Sequence, residues 1–320
     1  MYTIIFIHCV GGTLFKQFII LKGFFSICIL MLCIILYPVN TQAKNKLTVA
    51  YIGFSTDRPF WVTLGNAIKK GATTWNIDII DLTPPDPDPK LQSKLLEHAV
   101  AKQVNGIIIG AITPSFLYTA LSKASQNKIP VIAVDTKIEH HAIASFIATD
   151  NIKGATLAGQ YIVDKTKGIG TVLILGGTKN HPNGEARRNG VEKEAKNAGM
   201  TVLFRRANWD DELAYKITSE ELQKKNDISA IFSCWDPGID TASHVIEKMK
   251  IKNKILTVGF DGLTRTLGYI RDGKVDATIA QNPIIMGEKS VENLVSILNG
   301  DDFLIEILIS PYLVDQNNSK

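Results

Sequence analysis

Cysteine is scarce in this chain. The sequence holds four cysteines, and three of them, Cys9, Cys28 and Cys33, fall within the first 43 residues. If that segment is removed, Cys234 is the one thiol left, and no internal disulfide can form. The roughly 277 residues that remain are enough for two domains of ordinary size, which must be stabilised by their hydrophobic cores.

Acidic residues are missing from the amino-terminal part of the chain, where the first carboxylate is that of Asp57. Two lysines precede an apolar run at residues 24–37, which is shorter than the roughly 20 apolar residues that a membrane-spanning helix needs. Small residues ending at Ala43 follow this run. The pattern predicts a secretory signal peptide over residues 1–43 and export to the periplasm. An uncleaved anchor is the alternative interpretation.

The sequence also lacks a long run of basic residues. Without the two lysines of the signal segment, 33 of the 35 basic side chains remain against 31 acidic ones, so the mature chain is nearly neutral. Binding to nucleic acid depends on an excess of positive charge that contacts phosphates. We therefore predict that nucleic acid is not a partner.

Motifs for catalysis and cofactor binding are sparse as well. Glu139 is followed by His140 and His141, but neighbouring residues rarely present both rings to one metal ion. Residues 176–178 follow a predicted strand without the lysine and hydroxyl spacing of a phosphate-binding loop. Cys234 has no assigned histidine partner, which favours a buried, unreactive thiol. The sequence thus predicts no metal, no cofactor and no catalytic residues.

Short apolar, β-branched runs alternate with longer amphipathic segments along the rest of the chain. The predicted strands are residues 47–53, 77–82, 106–110 and 130–135, followed by 171–176, 201–206, 230–234, 254–260 and 277–280. The predicted helices are residues 60–75, 90–103 and 114–126, followed by 154–165, 185–198, 211–224, 238–250 and 264–272. Such alternation predicts an α/β fold in which helical crossovers join parallel strands, arranged as two doubly wound lobes. A final helix at 283–298 and a strand at 303–309 indicate that the chain returns to the first lobe.

Polar and aromatic residues collect directly after the predicted strands. These residues are 57–61, 135–137, 183–188, 209–210, 235–236, 261–262 and Gln281. Ligands of open parallel sheets lie beyond the carboxyl ends of the strands. Carboxylate, guanidinium and amide groups form strong hydrogen bonds with hydroxyls, and flat rings can cover the C–H faces of a sugar.

Each of these residues also has a purely structural interpretation. Asp135 and Asp261 could cap helices, Arg187 could lie on a solvated helix face, and Phe60 could belong to the core. Their convergence on one edge of both lobes favours a ligand site.

Seven segments, in this order, resemble the pentose- and hexose-binding branch of the type I periplasmic solute-binding proteins of ABC transporters. They are residues 58–62, 130–135, 148–151, 183–190, 208–210, 258–262 and 277–283, and the resemblance extends over about residues 47–315. It implies two lobes joined by a three-strand hinge near Ala148, Gln281 and Leu308. The lobes would comprise residues 46–148 with 282–306, and residues 149–281 with 307–320.

The resemblance also assigns roles in ligand binding. It implies that Phe60 and Trp61 cover one face of a bound sugar and that Trp209 covers the other. Residues that would bind hydroxyl groups are Asp135, Arg187, Asp261 and Gln281, with Lys137 added in the allose-like pattern.

Two residues depart from the family's pattern. Arg58 and Trp235 stand where the family usually has asparagine. Trp235 replaces a hydrogen-bonding amide by a bulky ring, so the predicted ligand is less hydroxylated, smaller or differently shaped than ribose. A modified sugar, a deoxy sugar, a cyclitol and a sugar-like signal are the candidates. Both residues are predicted to contact the ligand.

The resemblance implies a monomeric protein that captures a monosaccharide or sugar-like molecule by hinge closure and delivers it to an inner-membrane ABC permease. The alternative is a periplasmic sensor that reports ligand occupancy to a membrane histidine kinase or a chemoreceptor. A sugar-responsive repressor is disfavoured because no DNA-binding module precedes the core. An enzyme is disfavoured because the candidate site offers binding groups without a nucleophile and base.

Overall fold

The computed structural model describes residues 46–224, 227–251 and 254–319, so the predicted signal segment lies outside the described residues. The strands are β1 Thr48–Ile52, β2 Asp78–Asp81, β3 Gly106–Ile109, β4 Val131–Val134, β5 Ile143–Thr149, β6 Thr171–Gly176, β7 Thr201–Arg206, β8 Ile228–Ser233, β9 Leu256–Asp261, β10 Ala277–Ala280, β11 Glu306–Ile309 and β12 Tyr312–Asp315. The helices are α1 Pro59–Thr74, α2 Pro89–Ala101, a 3-10 turn Pro114–Leu117 that leads into α3 Tyr118–Gln126, α4 Asn151–Thr166, α5 Pro182–Asn197, α6 Asp211–Gln223, α7 Asp236–Lys248, α8 Thr264–Arg271 and α9 Pro283–Asn299.

The strands form two six-stranded sheets. The first has the order β11-β5-β4-β3-β1-β2, and the second has the order β12-β10-β9-β8-β6-β7. Among the described residues, the strand pairs are parallel apart from the antiparallel pair β10 and β12. The prediction of an α/β fold with two doubly wound parallel-sheet lobes is confirmed. We call the lobe built on each sheet the first and the second lobe.

Burial on both faces of the first sheet explains why its strands are almost continuously apolar. Ile107 and Ile109 of β3 belong to one core cluster, whereas Ile108 between them belongs to the cluster on the opposite face. Successive side chains of a strand point to opposite faces, so a strand covered on both sides needs an apolar residue at every position. The second lobe has its own core cluster around β6, β8 and β9.

Two strands are absent from the sequence-based assignment, which is corrected here. β5 contains Ser145, whose hydroxyl donates to the carbonyl of Leu304 at 2.6 Å, so a buried polar residue interrupts its apolar pattern. β12 is a short edge strand that pairs with β10 in the antiparallel direction, outside the repeating strand and helix order. The predicted strand at residues 303–309 begins only at Glu306.

The chain crosses between the two sheets three times. The crossings lie between β5 and α4, between β10 and α9, and between β11 and β12. The last crossing falls after Ile309, so residues 307–309, which were expected in the second lobe, complete β11 of the first sheet. Within the described part of the chain, no helix is long and apolar enough to cross a membrane.

Candidate functional site

A cavity of about 100 Å³ lies where the carboxyl ends of strands from both sheets meet. It is much larger than the roughly 10–15 Å³ that one water molecule needs, and its size fits a small molecule. The lining residues are Phe54, Arg58, Pro59, Phe60, Trp61, Asp135, His181, Asn183, Arg187, Trp209, Trp235, Pro237, Asp261, Leu263 and Gln281. Nine of the ten residues expected to contact a ligand are among them.

The tenth residue, Lys137, does not line this cavity. Its side chain is half exposed, and its Nζ lies 3.2 Å from a carboxylate oxygen of Glu139. The chain turns sharply after β4, where the amide of Thr136 donates to the carbonyl of Val134. This turn leaves Asp135 at the cavity while Lys137 pairs with an exposed carboxylate, so the sequence-based assignment of Lys137 is not supported.

One side of the cavity is an aromatic layer from the first lobe, formed by Phe54, Phe60 and Trp61. Pro59 occupies the first turn of α1, where its fixed φ and missing amide hydrogen suit a helix start. Trp61 stacks on Phe54 at 5.7 Å between centroids and meets Phe60 edge-on at 5.5 Å. A Cβ atom at Gly110 would lie 2.2 Å from the Trp61 ring, so this glycine makes room for the indole. Phe60 also belongs to the core, which means that its structural and functional interpretations both hold.

The second lobe supplies an aromatic row, formed by His181, Trp209 and Trp235. Trp209 meets His181 edge-on at 5.3 Å and Trp235 edge-on at 5.6 Å, so it stands in the middle of the row. A Cβ atom at Gly177 would lie 2.1 Å from the Trp209 ring. The indole Nε1 of Trp235 donates to Oδ1 of Asp211 at 3.2 Å. Rings from both lobes therefore face the cavity.

Arg187 is buried at the polar end of the cavity, and its Nε and Nη1 atoms are bonded within the protein. Its Nε donates to Oδ1 of Asn151 at 2.7 Å, and its Nη1 donates to the carbonyl of Cys234 at 2.9 Å and to Oδ1 of Asp261 at 3.3 Å. The guanidinium lies 3.9 Å from the centroid of the Phe260 ring. These contacts fix the guanidinium before any ligand arrives, and the interpretation of Arg187 as a solvated helix residue is wrong.

Gln281 holds Asp261 in position. Its Nε2 donates to Oδ1 of Asp261 at 2.7 Å, and its Oε1 accepts from the hydroxyl of Thr149 at 2.7 Å. Thr149 and Gln281 stand at two of the three crossings between the sheets. The amide of Gln281 thus links the hinge to the site and has few hydrogen-bonding positions left for a ligand.

Three buried carboxylates lie at or beneath the polar end of the cavity, and the charge of Arg187 acts on two of them, Asp135 and Asp261. Burial raises the pKa of Asp261 to about 6, although Arg187 acts in the opposite direction. Burial also raises the pKa of Asp135, again against the effect of Arg187. Asp236 lies beneath the site, and burial together with the charge of Asp261 raises its pKa well above the ordinary value. The polar end of the cavity therefore carries an excess of acidic groups.

Three of the lining residues have unusual backbone conformations. The φ angles are 62° at Asp135, 61° at Trp209 and 143° at Asp261. Such angles in residues other than glycine cost about 1–3 kcal/mol each and are frequent in functional sites. Each residue lies at or just after the carboxyl end of a strand, and neither aspartate caps a helix: β5 follows Asp135, and Leu263 precedes α8. Their interpretation as caps is wrong.

Two hydrogen bonds connect the lobes across the cavity. Nδ2 of Asn183 in the second lobe donates to Oδ2 of Asp135 in the first lobe at 2.9 Å. At the rim, Nη1 of Arg58 donates to the carbonyl of Trp209 at 3.5 Å. The lobes are thus in contact around the cavity.

Six lining residues were missing from the set predicted from the sequence. They are Phe54, Pro59, His181, Asn183, Pro237 and Leu263. His181 and Asn183 lie in the turn and first helical residues after β6, so the rule that selected Arg187 applies to them too. Burial and the charge of Arg187 lower the pKa of His181 to about 4, which keeps the ring neutral at neutral pH. Among the described residues, Nδ1 of His181 and Nε1 of Trp209 are buried without a hydrogen-bond partner.

The thiol whose residue bonds Arg187 through its carbonyl, Cys234, is not activated. Cys234 is a free, buried thiol, and burial raises its pKa to about 12, so it is not a thiolate at neutral pH. In residues 46–224, 227–251 and 254–319, no group of three or more histidine, cysteine, aspartate or glutamate residues could hold a metal ion.

Two α/β lobes that close on a small cavity, with rings on both sides and charged groups at one end, define a small-molecule binding protein. A family model described as the periplasmic binding protein domain matches residues 49–302, and the chain belongs to this family of solute-binding proteins.

Named relatives share most of the chain. The chain is 28% identical over 264 residues to the ribose import binding protein of Bacillus subtilis strain 168, covering 82% of this chain and 85% of that protein. It is 27% identical over 267 residues to the D-allose-binding periplasmic protein of Escherichia coli K12, covering 80% and 86%. Among solved structures, an ABC transporter periplasmic solute-binding protein from Actinobacillus succinogenes 130z with bound D-allose has a TM-score of 0.81 at 24% identity, covering 86% of this chain and 99% of that one.

Proposed function

We propose that this protein is an exported, monomeric solute-binding protein of the periplasm that captures a monosaccharide or sugar-like molecule. The ligand would bind in the cavity between the lobes and be delivered to an inner-membrane ABC permease. The names of the relatives that bind ribose and D-allose support this choice of ligand class. The protein would act without a cofactor and without catalysis.

The observation that carries the proposal is the division of the cavity lining between the lobes. Phe60, Trp61 and Asp135 come from the first lobe, whereas Trp209 and Arg187 come from the second. A ligand shifts an open and closed equilibrium only by its different affinity for the two forms. Because a molecule in this cavity contacts both lobes only when they are closed, its binding favours closure by the hinge motion of such proteins.

The aromatic and charged groups are suited to a sugar ring. The aromatic layer of the first lobe and the aromatic row of the second lobe can cover the two C–H faces of a pyranose or furanose. Asp135 and the Nη2 atom of Arg187, which has no hydrogen-bond partner among the described residues, remain to bind hydroxyl groups. A hydrogen bond to a charged group contributes about 1.5–3 kcal/mol.

A thermal-shift screen of the purified protein against pentoses, hexoses, deoxy sugars and polyols tests this function. At a ligand concentration 100 times the Kd, binding stabilises the folded state by about 2.7 kcal/mol, so Tm should rise by roughly 5 °C. Each compound that raises Tm is then titrated by calorimetry, and small-angle scattering should show a more compact protein. If no sugar or polyol of the screen binds, the proposed function is wrong.

Tryptophan fluorescence reports on the same site. Trp61, Trp209 and Trp235 line the cavity, whereas Trp75 is half exposed at the end of α1. A bound sugar should change the emission of the wild-type protein and that of the Trp75→Phe variant equally. A sugar that binds in calorimetry but leaves the emission of both proteins unchanged would contradict the location of the site.

A further inference from the structure

One border of the cavity offers no free hydrogen-bonding group among the described residues. Trp235, Pro237 and Leu263 form this border, which we call the apolar wall. Pro237 has no amide hydrogen, and the amide of Leu263 already donates to Oδ2 of Asp236 at 2.7 Å. Because Asp236 separates Trp235 from Pro237 in the chain, its bond to Leu263 brings the three residues together.

Trp235 likewise has no free hydrogen-bonding group on its indole or its carbonyl. Its only side-chain donor is bonded to Asp211, and the carbonyl of Trp235 accepts from the hydroxyl of Ser233 at 2.7 Å. A Cβ atom at Gly238 would lie 2.7 Å from the ring, so the glycine lets the indole pack closely against the start of α7. The ring is therefore held in place, and it presents carbon atoms to the cavity.

The free polar atoms lie on other lining residues. The two side-chain hydrogen bonds of Asp135 with described residues both end on its Oδ2, which leaves Oδ1 to accept from a ligand. Nδ1 of His181 and Nε1 of Trp209 are buried without partners in the described part of the chain. The cavity thus has groups for several ligand oxygens, but none of them belongs to the apolar wall.

Resting on the proposed sugar-binding function, we propose that the ligand is a deoxy monosaccharide whose CH₂ or CH₃ group lies against the apolar wall. A fully hydroxylated sugar of the same shape would bury a hydroxyl there without a partner. An apolar pocket rejects an added hydroxyl by about tenfold to a hundredfold. The deoxy sugar should be preferred by this factor.

Calorimetric titration of the purified protein with matched sugar pairs tests the inference. The pairs are L-rhamnose with L-mannose, L-fucose with L-galactose, and 2-deoxy-D-ribose with D-ribose. In at least one pair, the deoxy member should bind at least tenfold more tightly than its hydroxylated partner. The inference is overturned if no deoxy sugar binds, or if each hydroxylated member binds as tightly as its deoxy partner.

These outcomes are distinguishable from failure of the proposed function. Binding of ribose, mannose, galactose or another sugar of the thermal-shift screen without a deoxy preference overturns the inference and leaves the proposed function standing. Failure of every sugar and polyol in the screen overturns both.

Two substitutions test whether the deoxy preference depends on the apolar surface at position 235 or on the tryptophan ring in particular. Trp235→Asn replaces the ring by an amide that can bond a hydroxyl, so the deoxy preference should fall at least tenfold or reverse. Trp235→Phe keeps an apolar surface and should keep the preference, and Trp75→Phe, remote from the cavity, is the matched control. Retention of the full preference by a folded Trp235→Asn variant would overturn the assignment to the wall. If Trp235→Asn does not fold, the test rests on Trp235→Phe. Loss of the deoxy preference in a folded Trp235→Phe variant would then overturn the assignment to the apolar wall.

Discussion

The first lobe contributes rings, one buried carboxylate and the guanidinium of Arg58 to the cavity, whereas the second contributes rings together with a network of buried charged side chains. In the first lobe, Phe60 and Trp61 begin a helix behind Pro59, so their direction follows from a local helix start. In the second lobe, Arg187 and Asp261 are bonded to one another and to neighbouring residues. The comparison indicates that the second lobe holds a preorganised polar site, on which the first lobe closes with Asp135 as its buried polar contact and Arg58 as its contact at the rim. Preorganisation of this kind lowers the free-energy cost of binding.

The largest expected effect is that of Arg187→Met. The substitution removes the guanidinium that contacts Asp261 and leaves Asp135 and Asp261 without this counter-charge. Breaking a buried ion pair in this way costs about 3–5 kcal/mol of unfolding free energy. Affinity for the sugar that binds the wild-type protein should fall at least tenfold. Urea unfolding and calorimetry measure the two effects.

Arg188→Met is the matched control for Arg187→Met because Arg188 is the next residue of the same helix. Its guanidinium is partly exposed and pairs with Glu185 and Glu192. Pairs of this kind contribute about 0–1 kcal/mol. If both variants lose the same unfolding free energy and the same sugar affinity, the buried contacts of Arg187 are not what holds the polar site of the second lobe together.

The next effect concerns the two glycines beneath the tryptophans. In Gly177→Ala the new methyl group would lie 2.1 Å from the Trp209 ring, and in Gly110→Ala it would lie 2.2 Å from the Trp61 ring. Each substitution should shift its ring, lower the unfolding free energy by about 1–3 kcal/mol and weaken sugar binding about tenfold. Thermal unfolding and tryptophan emission measure the displacement.

Gly71→Ala is the control for these two substitutions. Gly71 lies within α1, and a Cβ atom there would meet its nearest neighbour at an ordinary 3.5 Å. Replacing a helical glycine by alanine should stabilise the protein by roughly 0.5–1 kcal/mol. If Gly110→Ala and Gly177→Ala behave like Gly71→Ala, the two rings are not fixed by the glycines.

The sequence predicted the fold of both lobes and the cavity residues that directly follow strands, because both depend on local patterns. Asp135 and Trp209 could be found in this way, since parallel strands carry their last residues to a common edge. Asn183 stood within a segment that the sequence analysis selected, but its bond to Asp135 joins residues 48 positions apart. Local patterns contain no information on such pairing.

Contacts between distant segments also explain the errors. Ser145 of β5 looks unsuited to a buried strand until its partners Leu304 and Asn293 are known. Lys137 follows Asp135 by two residues, but the turn after β4 carries it to Glu139. Sequence spacing does not determine the direction of a turn, whereas the three-dimensional structure does.

A smaller effect distinguishes a buried carboxylate, Asp240, from a more exposed one, Asp81, by the dependence of stability on pH. Burial raises the pKa of Asp240 in the second lobe to about 6. Between pH 4 and 6 the folded state therefore binds more protons than the unfolded state. Ionisation of Asp240 lowers the unfolding free energy over this range, so the loss of stability is absent below pH 4 and complete above pH 6. Asp240→Asn should therefore be more stabilising at pH 7 than at pH 4, by about 1–2 kcal/mol. Urea unfolding at the two pH values measures the difference.

Asp81 in the first lobe is the counterpart with the opposite sign. Burial raises its pKa, but hydrogen bonds from Lys69 and Thr83 outweigh burial and lower the pKa below the ordinary value. Its stabilising contribution is present above the unfolded pKa and is lost as the pH falls through the folded pKa. Asp81→Asn should therefore be more destabilising at pH 7 than at low pH. The same sign for both variants would contradict this contrast.

The smallest expected effect is that of Lys137→Ala, which tests where the first lobe stops contributing to the site. The ammonium group is half exposed and pairs with an exposed carboxylate, so its removal should change the unfolding free energy by no more than about 0.5 kcal/mol. Sugar affinity should change less than twofold because Lys137 does not line the cavity. Asp135→Ala, two residues earlier, should weaken binding at least tenfold since it removes the buried carboxylate that faces the second lobe. A loss of affinity in Lys137→Ala as large as that in Asp135→Ala would show that Lys137, beyond the turn after β4, also contributes to ligand binding.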